Sequence, residues 1–181
     1  MSIEELYIQN KENPSDINEH LETLYKYAKE CNTIAEFGLR WVCSSYALAH
    51  ARPQKLICVD INNHGNVDSF IELCKMENIN AVFHQADTRN YELEEVDMLF
   101  IDTLHTFDQL TKELEIHPPK VKKYMMFHDT VSYGNVDEMT GQTGENHGLI
   151  PAIKNFLKNN PHWQELETHT NNNGLTILKR V

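Results

Sequence analysis

The sequence predicts one α/β domain built on a doubly wound, seven-stranded, mostly parallel sheet whose last strand runs antiparallel. Three observations carry this. Short apolar runs rich in β-formers alternate with helical segments along the whole chain, the pattern of parallel strands joined by crossover helices. The 181 residues suit a single domain (1–181), which at this size buries roughly 70% of its unfolded surface and can cover a sheet on both faces. Finally, the last two apolar runs are separated only by Asn171-Asn172-Asn173-Gly174, too short for a crossover and suited to a hairpin.

Taken in order, residues 1–31 form an N-terminal helical segment, with a helix expected at Ile17–Cys31 and its N-cap supplied by Asn13-Pro14-Ser15-Asp16. Strands follow at Thr33–Phe37, Lys55–Asp60, Ile79–His84, Val96–Ile101, Tyr124–His128, Trp163–Thr168 and Leu175–Lys179. The helices between them are expected at Ser44–His50, Val67–Glu77 (capped by Asn66 or Asp68), Phe107–His117 and Ile150–Asn159. Lys120-Val121-Lys122-Lys123 reads as a solvated linker, and residues 132–148, with four of the seven glycines, read as a substrate lid after the fifth strand.

Composition removes several function classes. Sixteen Lys plus Arg against 27 Asp plus Glu give a net charge of −11, which repels phosphate backbones and argues against nucleic acid. No stretch approaches 18 apolar residues and Met1–Glu5 has no basic region before an apolar run, so neither membrane nor secretion is expected. Cys31, Cys43, Cys58 and Cys74 show no CxxC spacing, which predicts reduced thiols and a cytoplasmic setting. The sequence is compatible with a homo-oligomer and does not fix one.

Chemistry-bearing residues recur at strand ends. Glu36-Phe37-Gly38 closes the first strand and Val59-Asp60-Ile61 the second, a glycine turn and an acidic end at a spacing suited to a nucleotide ribose. Gln85-Ala86-Asp87 closes the third, Phe100-Ile101-Asp102-Thr103-Leu104-His105 the fourth and Phe127-His128-Asp129-Thr130 the fifth. Any one aspartate there could simply cap a turn; their joint placement points to a site. Together with Asn172-Asn173-Gly174-Leu175-Thr176, these motifs resemble class I S-adenosylmethionine-dependent methyltransferases of Rossmann-like fold, in the branch of cephalosporin-hydroxylase-like and macrocin-O-methyltransferase-like proteins.

The resemblance implies S-adenosylmethionine as cofactor, contacted by Glu36, Gly38, Arg40, Ser44, Asp60, Ile61, Ala86, Asp87 and Asp102. Glu36 and Gly38 would line the methionine end, Asp60 would hold the ribose, Asp87 with Ala86 the adenine, and Asp102 would lie beside the sulfonium. The chain carries Val42-Cys43-Ser44 where that family's first loop ends glycine-rich, which would narrow the pocket.

Methyl transfer to a hydroxyl needs an aligned oxygen relieved of its proton. Asp102, His105, His128 and Asp129 are the candidate catalytic residues, since the resemblance makes the fourth and fifth strands neighbours about 4.8 Å apart. Asp102, His128 and Asp129 are also a candidate set for a divalent metal, Mg²⁺ or, with an imidazole donor, Mn²⁺, Fe²⁺ or Zn²⁺. The alternatives are His105 or His128 as a metal-free base, and a His128-Asp129 pair that only shapes the strand end. His147 is placed to reach a substrate, Trp41 to stack on a ligand or pack in the core, and His20, His50, His64, His117, His162 and His169 read as surface or structural. The expected acceptor is a small hydroxylated molecule such as a sugar; the competing reading is a non-catalytic nucleotide-binding or interaction module on the same fold.

Overall fold

The computed structural model describes residues 1–181. Strands β1 (Thr33–Phe37), β2 (Lys55–Asp60), β3 (Ala81–Gln85), β4 (Val96–Ile101), β5 (Val121–His128), β6 (Trp163–His169) and β7 (Leu175–Arg180) form one sheet in the order β3-β2-β1-β4-β5-β7-β6. The pairs from β3 to β5 are parallel, and β7 pairs antiparallel with both β5 and β6. The doubly wound sheet with its antiparallel last strand is therefore as the sequence predicts. Because β2 and β3 lie on one side of β1 and β4 on the other, the crevice at the carboxyl ends of β1 and β4 is the switch point where such sheets hold ligands.

Side chains alternate across the sheet and build two cores. Ile34, Leu56, Cys58, Met98, Phe100 and Met126 pack on one face, where Leu24, Leu48 and Phe70 come from helices α2 (Leu21–Ala28), α3 (Cys43–His50) and α4 (Gly65–Met76). Ala35, Phe37, Ile57, Leu99, Met125 and Phe127 face the other way, against Leu110 and Leu114 of α5 (Phe107–Ile116) and Ile153 and Phe156 of α6 (Leu149–Asn159). Glu36, one step from Phe37, points into the first of these cores. All four cysteines are free thiols, and no helix is long and apolar enough to cross a membrane.

The N-terminal segment departs from the expected single helix. It is a helix α1 (Ile3–Glu12) with a Ser2/Glu5 capping box, then a break at Asn13-Pro14, a 3₁₀ turn at Asn18–His20, and α2. The Ser15 hydroxyl accepts from the Ile17 N–H ahead of the 3₁₀ turn, which has no side-chain cap, so this segment does not cap a long helix. The residue before α4 is His64, with no side-chain cap; Asn66 and Asp68 lie inside the helix. Ile79 closes α4 by donating to the Cys74 carbonyl, delaying β3 to Ala81. Lys120-Val121-Lys122-Lys123 is not a linker: β5 begins at a buried Val121 paired with Val96, and Lys122 and Lys123 meet Glu95 and Asp97.

Candidate active site

A cavity of about 450 Å³ opens at the carboxyl ends of β1, β2, β4 and β5, within the size range of small-molecule sites. Its floor depends on Gly38. This residue has φ +83°, and a Cβ there would stand 2.0 Å from the carbonyl oxygen of Asp102. The glycine that looks made for a ligand thus lets the first turn press against the backbone of the fourth strand. Beyond it, Arg40 and Val42 also take positive φ, 35° and 57°, so the left-handed positions that glycines would fill are met by other residues and the cavity stays open.

Asp60 holds this loop. One carboxylate oxygen accepts from the N–H of Leu39 at 2.8 Å and of Arg40 at 3.5 Å; the other accepts from the N–H of Asn62 at 2.8 Å. It lines the cavity while latching the backbone. Asp60→Ala therefore leaves three backbone N–H donors without their acceptor and removes any ligand contact; the expected result is at least about tenfold weaker S-adenosylhomocysteine binding by calorimetry, and unchanged affinity would refute both roles.

Glu36 does not reach the cavity. It is fully buried, its two oxygens accepting from the hydroxyls of Ser44 at 2.5 Å and Ser45 at 2.6 Å, and burial pushes its carboxyl up to about 7. Ala86 is also away from the cavity; its N–H donates to the Asp60 carbonyl and its methyl packs on the second core. Arg40, Ser44, Ile61 and Asp87 do line it. Asp87 is forked by the Arg89 guanidinium at 2.7 to 3.2 Å, a hydrogen-bonded pair that holds its carboxyl below the usual range. Behind it, Thr88, Thr103 and Gln109 converge on the buried carboxyl of Glu113, which burial pushes up to about 7.

At the other end of the cavity the four predicted residues do converge. His105 Nε2 lies 3.1 Å from both Asp102 Oδ1 and Asp129 Oδ2, and His128 Nδ1 lies 3.4 and 3.3 Å from the same two atoms. The remaining nitrogens face Glu138 at 2.9 Å, for His105, and the carbonyl of Asn172 at 3.3 Å, for His128. Every ring nitrogen thus faces an oxygen that only accepts, an arrangement for two imidazolium rings. Burial alone would lower both histidines, but the carboxylates outweigh it; His128 is raised to about 10, and His105 is raised as well. Burial likewise opposes Asp102, yet the hydrogen bonds from His105 and His128 hold its carboxyl well below the usual range. His105 lines the cavity and stacks on Tyr133 with ring centres 4.9 Å apart, whereas His128 is buried behind the carboxylates. Asp129 sits at φ 60°, and its Oδ1 is buried without a partner.

A model of one protein family, described as rhamnosyl O-methyltransferase/CmcI, matches residues 6–180. The chain belongs to that family. Membership places this chain among the methyltransferases. Solved structures show the same fold at low identity. An O-methyltransferase from Bacillus cereus in complex with SAH is 14% identical with a TM-score of 0.67, the match covering 99% of this chain and 90% of that one. The O-methyltransferase TomG from Streptomyces achromogenes, in complex with SAM, is 15% identical with a TM-score of 0.61 over 93% and 82%. The N-terminal domain of EvdMO1, in the presence of SAH and D-fucose, is 13% identical with a TM-score of 0.58 over 93% and 84%. A search of curated proteins finds no match.

Some contributors to the site in this family member were not foreseen. Glu138, from the 132–148 loop, lines the cavity and clasps His105, receiving its backbone N–H at 3.3 Å and returning a backbone N–H to its carbonyl. Nothing marks one loop glutamate among 27 acidic residues as this one. The loop is tied down by Asp137, which accepts from the N–H groups of Phe107 and Gly148 and from His147, so His147 holds the loop and does not line the cavity. His64 lines the cavity mouth near Asp60, and Asp16 and Ile17 form a wall there. The Asn-Gly signal gives a turn, but not that Asn172 offers its carbonyl to both His20 and His128.

Proposed function

We propose that the protein transfers a methyl group from S-adenosylmethionine to a hydroxyl of a small acceptor such as a sugar. One observation carries the reading: a single cavity joins the Gly38–Asp60 crevice to the cluster of Asp102, His105 and Asp129. The family description and the ligands of the structural neighbours support the cofactor, and the words rhamnosyl and D-fucose support the sugar. An open crevice with converging carboxylates favours an enzyme over a binding module.

Bound there, S-adenosylmethionine supplies the methyl group as a sulfonium electrophile. Asp60 shapes the loop beside it, and Asp102 and Asp129 place negative charge at the reacting end. Asp129 adds a carboxylate whose Oδ1 is buried without a partner, while Glu138 and Tyr133 fix the plane of His105. Both histidines are already engaged by carboxylates, so proton removal falls to a carboxylate or to His105 after it has given up its own proton.

Asp102, His128 and Asp129 place donor atoms within 4.8 Å of one another, and the free Asp129 oxygen fits a divalent cation. His128 fits when neutral, because its Nε2–H is fixed on the Asn172 carbonyl and leaves Nδ1 to ligate. A metal held there would act as a Lewis acid on the acceptor oxygen. Calorimetric titration of the full chain with S-adenosylmethionine tests the reading: saturable binding is expected, and a folded protein that binds none at millimolar ligand would sink it. Adding EDTA to the same protein separates the metal-assisted form, in which transfer stops, from the base form, in which it continues.

A further inference from the structure

Thr88, Thr103 and Gln109 line the cavity and share the carboxyl group behind it, that of Glu113, which is fully buried. One oxygen, Oε1, accepts from the Thr88 hydroxyl at 2.6 Å, the Gln109 Nε2 at 2.8 Å and the Thr103 hydroxyl at 3.0 Å. Gln109 Nε2 also donates to the Thr88 hydroxyl at 3.1 Å, so both amide hydrogens are spent inside the chain. The amide cannot be turned over without setting its own oxygen against the Glu113 oxygen and losing both bonds. What is left is Gln109 Oε1. No group of the chain donates to it, and it is not sealed from solvent as Asp129 Oδ1 is. Gln109 is 8% exposed and lines the cavity, so its one free polar atom opens there.

The order of the strands decides which part of the cofactor this oxygen meets. The reacting end lies at Asp102 and Asp129, after β4 and β5, and Asp60, at the end of β2, is the acid on the ribose side. In S-adenosylmethionine the sulfur and the base leave the ribose from opposite ends. The base therefore points away from Asp102, past Asp60 to the turn after the outer strand β3, where Ile61, Asp87, Thr88 and Gln109 line the cavity. Adenine presents one donor there, its exocyclic amine at C6. Ala86 is packed in the second core, and both oxygens of Asp87 are engaged by the Arg89 guanidinium and one also by the Arg89 backbone N–H. Gln109 Oε1 is the acceptor that the chain leaves free.

We propose that Gln109 is the residue that selects the base of the cofactor: its Oε1, held in place by Glu113 and Thr88, accepts from the exocyclic amine of adenine and refuses a base with a carbonyl at that position. This deepens the methyltransferase reading and rests on it.

The test is calorimetric titration of the full chain with S-adenosylhomocysteine and with S-inosylhomocysteine, which carries a carbonyl in place of the amine and a hydrogen on N1. The inosyl ligand is expected to bind at least about tenfold more weakly, because it loses a hydrogen bond and sets two acceptors against each other. Gln109→Met fills a similar space without the acceptor. It should bind S-adenosylhomocysteine about tenfold more weakly than the wild type, and its preference between the two ligands should shrink to about threefold or less. Both ligands are measured on one protein, so a general loosening of the Glu113 cluster does not move this ratio, and urea denaturation checks that the variant is folded. The wild-type comparison stands without any variant. Equal affinity of the wild type for the two ligands would overturn the assignment of Gln109 alone. So would a Gln109→Met protein that discriminates like the wild type; discrimination lost instead in Asp87→Asn would give the amine to Asp87. Failure of the wild type to bind S-adenosylhomocysteine would overturn the methyltransferase reading and this proposal with it.

Discussion

Gly38→Ala is expected to cost about 3 kcal/mol of stability and to weaken S-adenosylhomocysteine binding more than tenfold. A methyl at this position meets the Asp102 carbonyl oxygen at 2.0 Å and its carbon at 2.7 Å, and neither atom belongs to a flexible side chain. Relief requires the ends of β1 and β4 to part, where the Asp102 N–H donates to the Phe37 carbonyl at 2.8 Å. The left-handed φ of +83° adds its own penalty, about 1–2 kcal/mol, to an overpacking cost of about 1–3 kcal/mol. Moving the backbone of Asp102 also moves the carboxylate that both His105 and His128 share, so the binding loss does not depend on global unfolding. Gly65→Ala is the control: its added methyl meets nothing within 4 Å, at the first residue of a helix. Urea denaturation of the two variants separates the cases, and a Gly38→Ala protein as stable as Gly65→Ala would refute the close approach.

This glycine also shows what a sequence can and cannot disclose. Strand positions were readable because each buried strand is a compact apolar run between turn residues, and β1, β2 and β4 fall where expected. Convergence of Asp102, His105, His128 and Asp129 was readable too, because strand ends are fixed by topology. What was not readable depends on side-chain direction and on distant loops. Glu36 shares the EFG motif with Gly38, yet strand alternation aims it at Ser44 and Ser45 and away from the crevice. Lys120-Val121-Lys122-Lys123 looked solvated because three of four residues are charged, although Val121 is buried and pairs with Val96 at the start of β5. Glu138 and the Asn172 carbonyl act across 33 and 44 residues of sequence, through a loop clasp and a hairpin that no local pattern encodes.

Glu36 gives the other large effect, a loss of stability as pH rises. Its carboxyl is fully buried with no cation beside it, only the two serine hydroxyls and the Cys58 thiol, and burial raises it from an ordinary 4.5 to about 7. The folded protein therefore holds this proton more tightly than the unfolded chain does. The contribution is fully present below about 4.5, declines as pH rises, and is lost once pH passes the folded value near 7. The gap corresponds to roughly 3 kcal/mol between pH 4.5 and 8. Glu113, also buried and also raised to about 7, acts in the same direction. So does His128, which is raised to about 10 and loses its contribution from about pH 6.5 upward, so the wild-type curve alone cannot isolate one group. Glu36→Gln does so, because the amide keeps the shape and cannot ionise. The difference in unfolding free energy between this variant and the wild type is expected to move in the variant's favour by about 3 kcal/mol between pH 4.5 and 8.5, with most of the change below pH 7. Parallel stability curves for the two proteins would show that Glu36 ionises in the fold as freely as in the unfolded chain, held by Ser44 and Ser45 alone.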